Sequence, residues 1–161
     1  MDLSFSAEYE KFRQDVQAFL AASWSKEDAA TEPPPDERAT LGGAVRSDAR
    51  ATEFRQLAIA RGYLYRHVPK QYGGSEGRPD PLEQMIIAEE FKKAKAPHEM
   101  VGQGPSMLVP TLIEHGTEEQ KQQFVIGTLL GQIRWCQGYS EPGAGSDLAS
   151  LRTRGVRDGD D

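Results

Sequence analysis

Residues Trp135 to Leu151 read W-C-Q-G-Y-S-E-P-G-A-G-S-D-L-A-S-L. The stretch opens with the period of a strand: Ile133, Trp135, Gln137 and Tyr139 share one face, and Arg134, Cys136, Gly138 and Ser140 share the other. Both faces are mixed, so neither reads as freely solvated. Glu141-Pro142 then stops the pairing, and Gly143-Ala144-Gly145 lets the backbone fold tightly before Ser146 and Asp147. A turn of this composition leaves amide N–H groups without ladder partners beside a hydroxyl, a concave seat for an anion or a polarised ring. Beyond it a second strand is expected at 151–157, and Asp158-Gly159 favours a hairpin turn and a returning strand. Two strands and a turn cannot make an independently stable sheet, so the chain is expected to stop inside a domain.

Upstream the period changes from two to 3.6, and about five helices are expected. The first starts after Ser6 and carries Tyr9, Phe12, Val16, Phe19 and Leu20 as one stripe, with Glu8 and Glu10 in its first turn. From Ser25 to Gly43 the composition turns polar, with Pro33-Pro34-Pro35 and Gly42-Gly43, and reads as an exposed connection. Asp48 to Arg61 fits a second helix, with Ala51, Phe54, Leu57 and Ala58 inward and Gly62 ending it. Tyr63 to Gly77 reads as a packed loop. Asp80-Pro81-Leu82-Glu83 combines an N-cap, a first-turn proline and a Glu placed for a capping box, and opens a helix bearing Leu82, Met85, Ile86 and Phe91 that Pro97 bounds. Gly102-Gln103-Gly104-Pro105 introduces a helix with Met107, Leu108, Thr111 and Leu112. Thr117-Glu118-Glu119-Gln120 is a second capping box, starting a helix with Phe124, Val125 and Leu129 that runs to Gly131. The expected division is a helical unit over 1–131 and the first strands of a β-unit over 132–161.

A chain of 161 residues can bury a real core. Its 19 basic and 25 acidic residues give a net charge of −6, which argues against nucleic acid or an anionic membrane as partner. No 18-residue apolar run is present and Met1-Asp2-Leu3 opens no secretory signal, so a cytoplasmic location is expected. The single cysteine, Cys136, excludes an internal disulfide and is expected as a buried thiol beside Trp135. His67, His98 and His115 lack metal-ligand spacing; His115 fits the last turn of a helix, where a donor meets open carbonyls.

The run Ser140-Glu141-Pro142-Gly143-Ala144-Gly145-Ser146-Asp147 resembles the first signature of the acyl-CoA dehydrogenase family, the loop that leaves the first strand of its β-barrel-like middle domain and lies against FAD. Tyr72-Gly73-Gly74 is similar to that family's Gly-Gly loop, and His115-Gly116-Thr117-Glu118-Glu119-Gln120-Lys121 to its turn between later helices. Pro33 to Gly43 looks longer and more irregular than the family's early connection. The resemblance implies a mainly α fold, an N-terminal helical bundle followed by the first strands of the middle domain. It implies FAD as cofactor, an acyl-CoA thioester as substrate, as in fatty-acid or steroid side-chain degradation, and an electron-transfer flavoprotein as acceptor. The reaction implied is removal of a proton α to the thioester while hydride leaves the β-carbon for the flavin.

By motif position, Ser140 would bond the flavin ring, with Gln137 and the backbone from Gly138 through Tyr139 along it. Gly145 lies in the same turn, and Ser146 would reach the FAD pyrophosphate or the CoA side. Gly102 to Leu112 would help line the acyl pocket. Glu141 is rejected as the base, because the family's base comes from a C-terminal bundle, beyond Asp161, and the isolated chain is expected to be inactive. The family forms homo-oligomers, and its steroid-type members pair unlike subunits; the Trp135-Cys136-Gln137-Gly138 lead-in is similar to bacterial branches acting on bulky or dicarboxylic thioesters. Two alternatives are a non-catalytic helical module packing on a dehydrogenase subunit and a flavin oxidase of the same fold.

Overall fold

A computed structural model of the chain describes residues 6–31, 49–138 and 140–159. Helix α1 (Ala7–Ser23) starts where expected, with Glu8 and Glu10 facing the positive end of the helix dipole, although Ser6 makes no side-chain cap bond. Its stripe buries Val16 and Leu20 and lays Phe12 and Phe19 on the core. Tyr9 instead turns to donate its hydroxyl to Asp80 Oδ2 at 3.2 Å.

The supposed connection after Ser25 begins with a short helix, α2 (Lys26–Thr31). Polar composition hid a reciprocal cap: Ser25 N–H donates to Asp28 Oδ2 at 2.9 Å and Asp28 N–H to Ser25 Oγ at 3.0 Å. Arg50 fastens this turn, donating to both Asp28 oxygens at 3.2 and 3.1 Å and to Ser23 O at 2.6 Å, with its guanidinium over the Trp24 ring. The Pro33–Gly43 connection, the expected helix start at Asp48, Tyr139 and the last two residues lie outside the described residues.

Helix α3 (Ala49–Ala60) buries Ala51, Phe54 and Ala58, and Gly62 at φ +88° ends it. Leu57, expected inside, is 44% exposed, and Arg55 takes the inner position. The reason lies 43 residues away: Arg55 Nε donates to His98 O at 2.9 Å, so its aliphatic stem is buried while its head is bonded.

The loop from Tyr63 to Gly77 is held from inside by Tyr65, which is 1% exposed and has φ +50°. Its hydroxyl donates to Leu129 O and accepts from Met100 N–H, both at 2.6 Å, and its own N–H donates to Glu99 Oε1 at 2.5 Å. Burial pushes its phenol well above the ordinary tyrosine range. After a 3₁₀ turn (Lys70–Tyr72), Gly73 takes φ +87°, and a Cβ on Gly74 would collide with the Val68 carbonyl.

Asp80 caps α4 (Pro81–Ala94), accepting from Leu82 N–H at 2.9 Å and Glu83 N–H at 3.2 Å. The expected capping box is not completed, because the Glu83 carboxylate is taken by Arg66. Leu82 and Met85 stand about half exposed, at 40% and 41%; the inner face is Ile86, Ile87, Glu90 and Phe91. Glu90, 5% exposed, accepts from Arg13 at 2.5 Å, Gln17 at 3.0 Å and Lys93 at 2.7 Å, which joins α4 to the polar edge of α1. At the centre Phe91 meets Phe54 in a tilted contact and Tyr63 edge to face, with Trp24 tilted against Phe54 to close one end.

A single π-helical turn (Gly104–Leu108) leads directly into α5 (Val109–His115), closed by Val109 N–H donating to Gly104 O. Pro110 has no N–H for the Ser106 carbonyl, which favours widening the ladder there. Thr117 and Gln120 form the full capping box of α6 (Glu118–Leu129). The fold is mainly α, with six α-helices among the described residues.

The two strands expected at 133–140 and 151–157 are not formed among the described residues; a single antiparallel bridge joins Glu141 and Ala144. Each segment lacks a neighbouring strand to complete its ladder, the deficit that makes a two-strand sheet unstable. Gly159 does adopt the left-handed conformation, φ +67°, expected of the Asp-Gly turn.

Candidate functional site around the Ser-Glu-Pro-Gly loop

The lead-in to the loop is fixed on α6. Gln132 and Ile133 both donate to Gly127 O, at 2.8 and 3.0 Å, and Gly127 leaves room for the Ile133 side chain. Trp135 lies edge-on to Phe124 with centroids 5.5 Å apart, and its Nε1 donates to Thr128 Oγ1 at 2.8 Å. One more contact crosses to the π-helical turn: Gln103 Nε2 donates to Gln137 Oε1 at 2.8 Å. Cys136, expected as a buried thiol, is exposed, and no strand covers its segment among the described residues.

The loop itself is held by Glu141. Its carboxylate accepts from Thr153 Oγ1 at 2.5 Å, Arg152 N–H at 2.5 Å and Thr153 N–H at 3.0 Å. The Thr153 hydroxyl and the Arg152 amide hold that carboxyl below the usual carboxylate range. Ala144 N–H returns to Glu141 O at 3.1 Å and its methyl is buried. Downstream, a 3₁₀ turn (Leu148–Ser150) places the Ser150 hydroxyl 3.0 Å from Gly143 O and 2.9 Å from Asp147 O.

Of the residues singled out from sequence, Gln137, Gly138, Ser140, Gly145 and Ser146 are all exposed on this loop. A Cβ on Gly145 would come within 3.8 Å of Ser140 Oγ, so those two are brought together; Gly138 and Gly143 face open space. Tyr139 lies outside the described residues. The Ser140 and Ser146 hydroxyls have no hydrogen-bond partner among the described residues, which leaves both able to meet a ligand. The loop thus keeps neutral hydroxyl donors exposed while its Glu141 carboxylate is engaged by Arg152 and Thr153, a surface suited to a flat polar ring or a diphosphate and not to proton abstraction. Sequence reasoning missed Arg152 and Thr153, whose amides would have been ladder donors in the expected strand; it also missed Thr128, which lies in the last turn of α6 and gives no periodic signal. Among the described residues, no helix is long and apolar enough to cross a membrane.

Comparison with known proteins places these features. Residues 6–132 match the family model for the acyl-CoA dehydrogenase N-terminal domain. The chain is 47% identical over 108 residues to acyl-CoA dehydrogenase FadE34 of Mycobacterium tuberculosis, covering 65% of this chain and 14% of that protein. It is 34% identical over 164 residues to FadE26 of the same organism, covering 100% of this chain and 38% of the relative. Among solved structures, a chain of the ChsE4–ChsE5 complex from Mycobacterium tuberculosis is similar at 32% identity and a TM-score of 0.53, over 99% of this chain and 37% of that one. A chain of the Tcur3481–Tcur3483 steroid ACAD is similar at 37% identity and a TM-score of 0.52, over 99% and 38%. This chain therefore spans well under half the length of these relatives. With the N-terminal domain model matched over residues 6–132 and a relative 34% identical across the whole chain, the chain belongs to the acyl-CoA dehydrogenase family.

Proposed function

We propose that the chain forms the flavin-facing N-terminal part of an FAD-dependent acyl-CoA dehydrogenase acting on a bulky, steroid-type acyl-CoA thioester. FAD, when bound, accepts the hydride leaving the substrate β-carbon and passes its electrons to an electron-transfer flavoprotein. Ser140 would donate its hydroxyl to the ring, Gln137 and the backbone from Gly138 through Tyr139 would lie along it, and Gly145 with Ser146 would meet the pyrophosphate or the CoA side. The helical unit over 1–131 and the segment over 132–161 would contribute to two different domains of the whole enzyme. The observation that carries the reading is the exposed Ser140 and Ser146 hydroxyls, without a hydrogen-bond partner among the described residues, beside the open glycines Gly138 and Gly143, with Glu141 occupied by three donors and so withheld from base chemistry. The base would come from outside this chain, which alone would be inactive.

The bulky substrate rests on the second named structure, a steroid ACAD. Both structural relatives are two-component assemblies, which supports an oligomer with an unlike subunit and keeps a second reading alive: a subunit whose role is to complete a partner dehydrogenase. Spectroscopy on the complete protein, purified with any subunit that accompanies it, separates the two. A flavin absorbance band bleached anaerobically by acyl-CoA upholds the enzyme; a folded, colourless protein that ignores added FAD refutes it. Ser140→Ala should weaken FAD binding or slow flavin reduction by about 0.5–1.5 kcal/mol, the net value of one hydrogen bond.

A further inference from the structure

Thr128 is 2% exposed and lies in the last turn of α6, on a buried face where an apolar residue would satisfy the core. Both capacities of its hydroxyl are used: it donates to Phe124 O at 2.7 Å and accepts from Trp135 Nε1 at 2.8 Å. Its methyl and the Trp135 ring close on the same point of the π-helical turn. A Cβ on Gly104 would lie 2.9 Å from Thr128 Cγ2 and 2.7 Å from Trp135 Cδ1, so only glycine lets the three meet. On each side of this junction one residue continues the contact: Gln103, just before Gly104, bonds Gln137, two residues after Trp135. The only π-helical turn among the described residues is therefore wedged directly against the start of the loop 137–146. Such turns often sit where a functional site needs an unusual backbone.

We propose that Thr128 is a positioning residue which, through the indole N–H of Trp135, sets the flavin-facing loop 137–146 against the π-helical turn that starts at Gly104. The consequence for binding rests on the FAD reading above; the mechanical coupling does not. Thr128 touches no ligand in this arrangement. It fixes the rotation of the Trp135 ring, and the ring fixes the distance between the two backbone segments.

The complete protein, with its natural partner subunit if it has one, tests this with Thr128→Val, Thr128→Ser and Trp135→Phe. Val keeps the shape and loses the acceptor, Ser restores the acceptor, and Phe keeps a ring without the N–H. Titration with FAD should show Thr128→Val and Trp135→Phe each weakened about 2- to 10-fold, the double variant no weaker than either, and Thr128→Ser close to the parent. Amide exchange in the FAD-free protein should quicken across 104–108 and 133–138 in Thr128→Val and Trp135→Phe, and not in Thr128→Ser. A merely structural Thr128 would lower the melting temperature while leaving FAD affinity and exchange in those two segments unchanged, and that result overturns the proposal. If Thr128→Val does not fold, Trp135→Phe decides alone by the same criteria. A parent protein indifferent to FAD refutes the dehydrogenase reading, while exchange still upholds or sinks the coupling.

Discussion

Replacing Tyr65 by Phe removes one oxygen and leaves the ring where it is. The ring is buried, so the hydrophobic contribution is retained, and what changes is the hydrogen bonding of two distant backbone groups. Met100 N–H loses its acceptor and Leu129 C=O loses its donor, both formerly at 2.6 Å. An orphaned buried group costs about 1–3 kcal/mol, and relief from burying the hydroxyl offsets part of the pair, leaving a net loss of about 2–4 kcal/mol. For a protein of this size that corresponds to a fall in melting temperature of about 5–12 °C. Thermal melting followed by circular dichroism measures the total, and amide exchange at Met100 assigns it: that amide should exchange much faster in the variant while amides in the middle of α1 change little. A variant that melts with the parent and protects Met100 equally well would show that the hydroxyl contributes no net stability. The buried phenol adds a pH signature. Its folded pKa is raised, so its contribution is complete below the ordinary tyrosine value of about 10 and is lost as pH rises beyond it, a decline that Tyr65→Phe should lack.

Asp28 supplies the acid counterpart. Its carboxyl is lowered to about 2 by Arg50 and the Ser25 amide, so the α2 clasp is intact above the ordinary aspartate value and opens as pH falls through its folded value. Asp28→Asn should remove that acid-induced step, read by circular dichroism across an acid titration. Gly74→Ala drives a methyl into the Val68 carbonyl and should cost about 1–3 kcal/mol in denaturant melts, whereas Gly143→Ala meets open space and should stay within about 0.5 kcal/mol. Glu141→Gln should speed proteolysis of the 141–153 loop by weakening its grip on Arg152 and Thr153; unchanged cleavage would show that the clasp does not order the loop.

Except for α2, the helices are readable because each carries a local signal: the Phe12-Val16-Phe19 stripe, Asp80-Pro81, and the Thr117 box all act within one or two turns. The errors came from partners far along the chain. Arg55 is inside because His98 O is there to accept, and Glu83 leaves its cap because Arg66 is near; neither partner is visible from composition. Helix α2 differs: its Ser25–Asp28 cap is local but sits in a polar run without an apolar stripe, and Arg50 supports it from the next helix. The extended segments after Gly131 carried genuine alternation, but a period specifies a face and not a neighbour, and without neighbours Cys136 lies open. At the candidate site the loop was legible as chemistry, whereas Thr128 and the π-helical turn emerge only once α6 and the Gly104 entrance are set side by side.

The lead-in is joined to the π-helical turn by a carboxamide pair and to α6 by an indole–alcohol contact, neither of which carries a formal charge. The α2 clasp, by contrast, is made of guanidinium and carboxylate groups that are partly exposed. Ionic strength screens the second set and has nothing to act on in the first. Brine should therefore slacken the α2 clasp well before it disturbs the alignment of the loop, and the two regions should soften in that order.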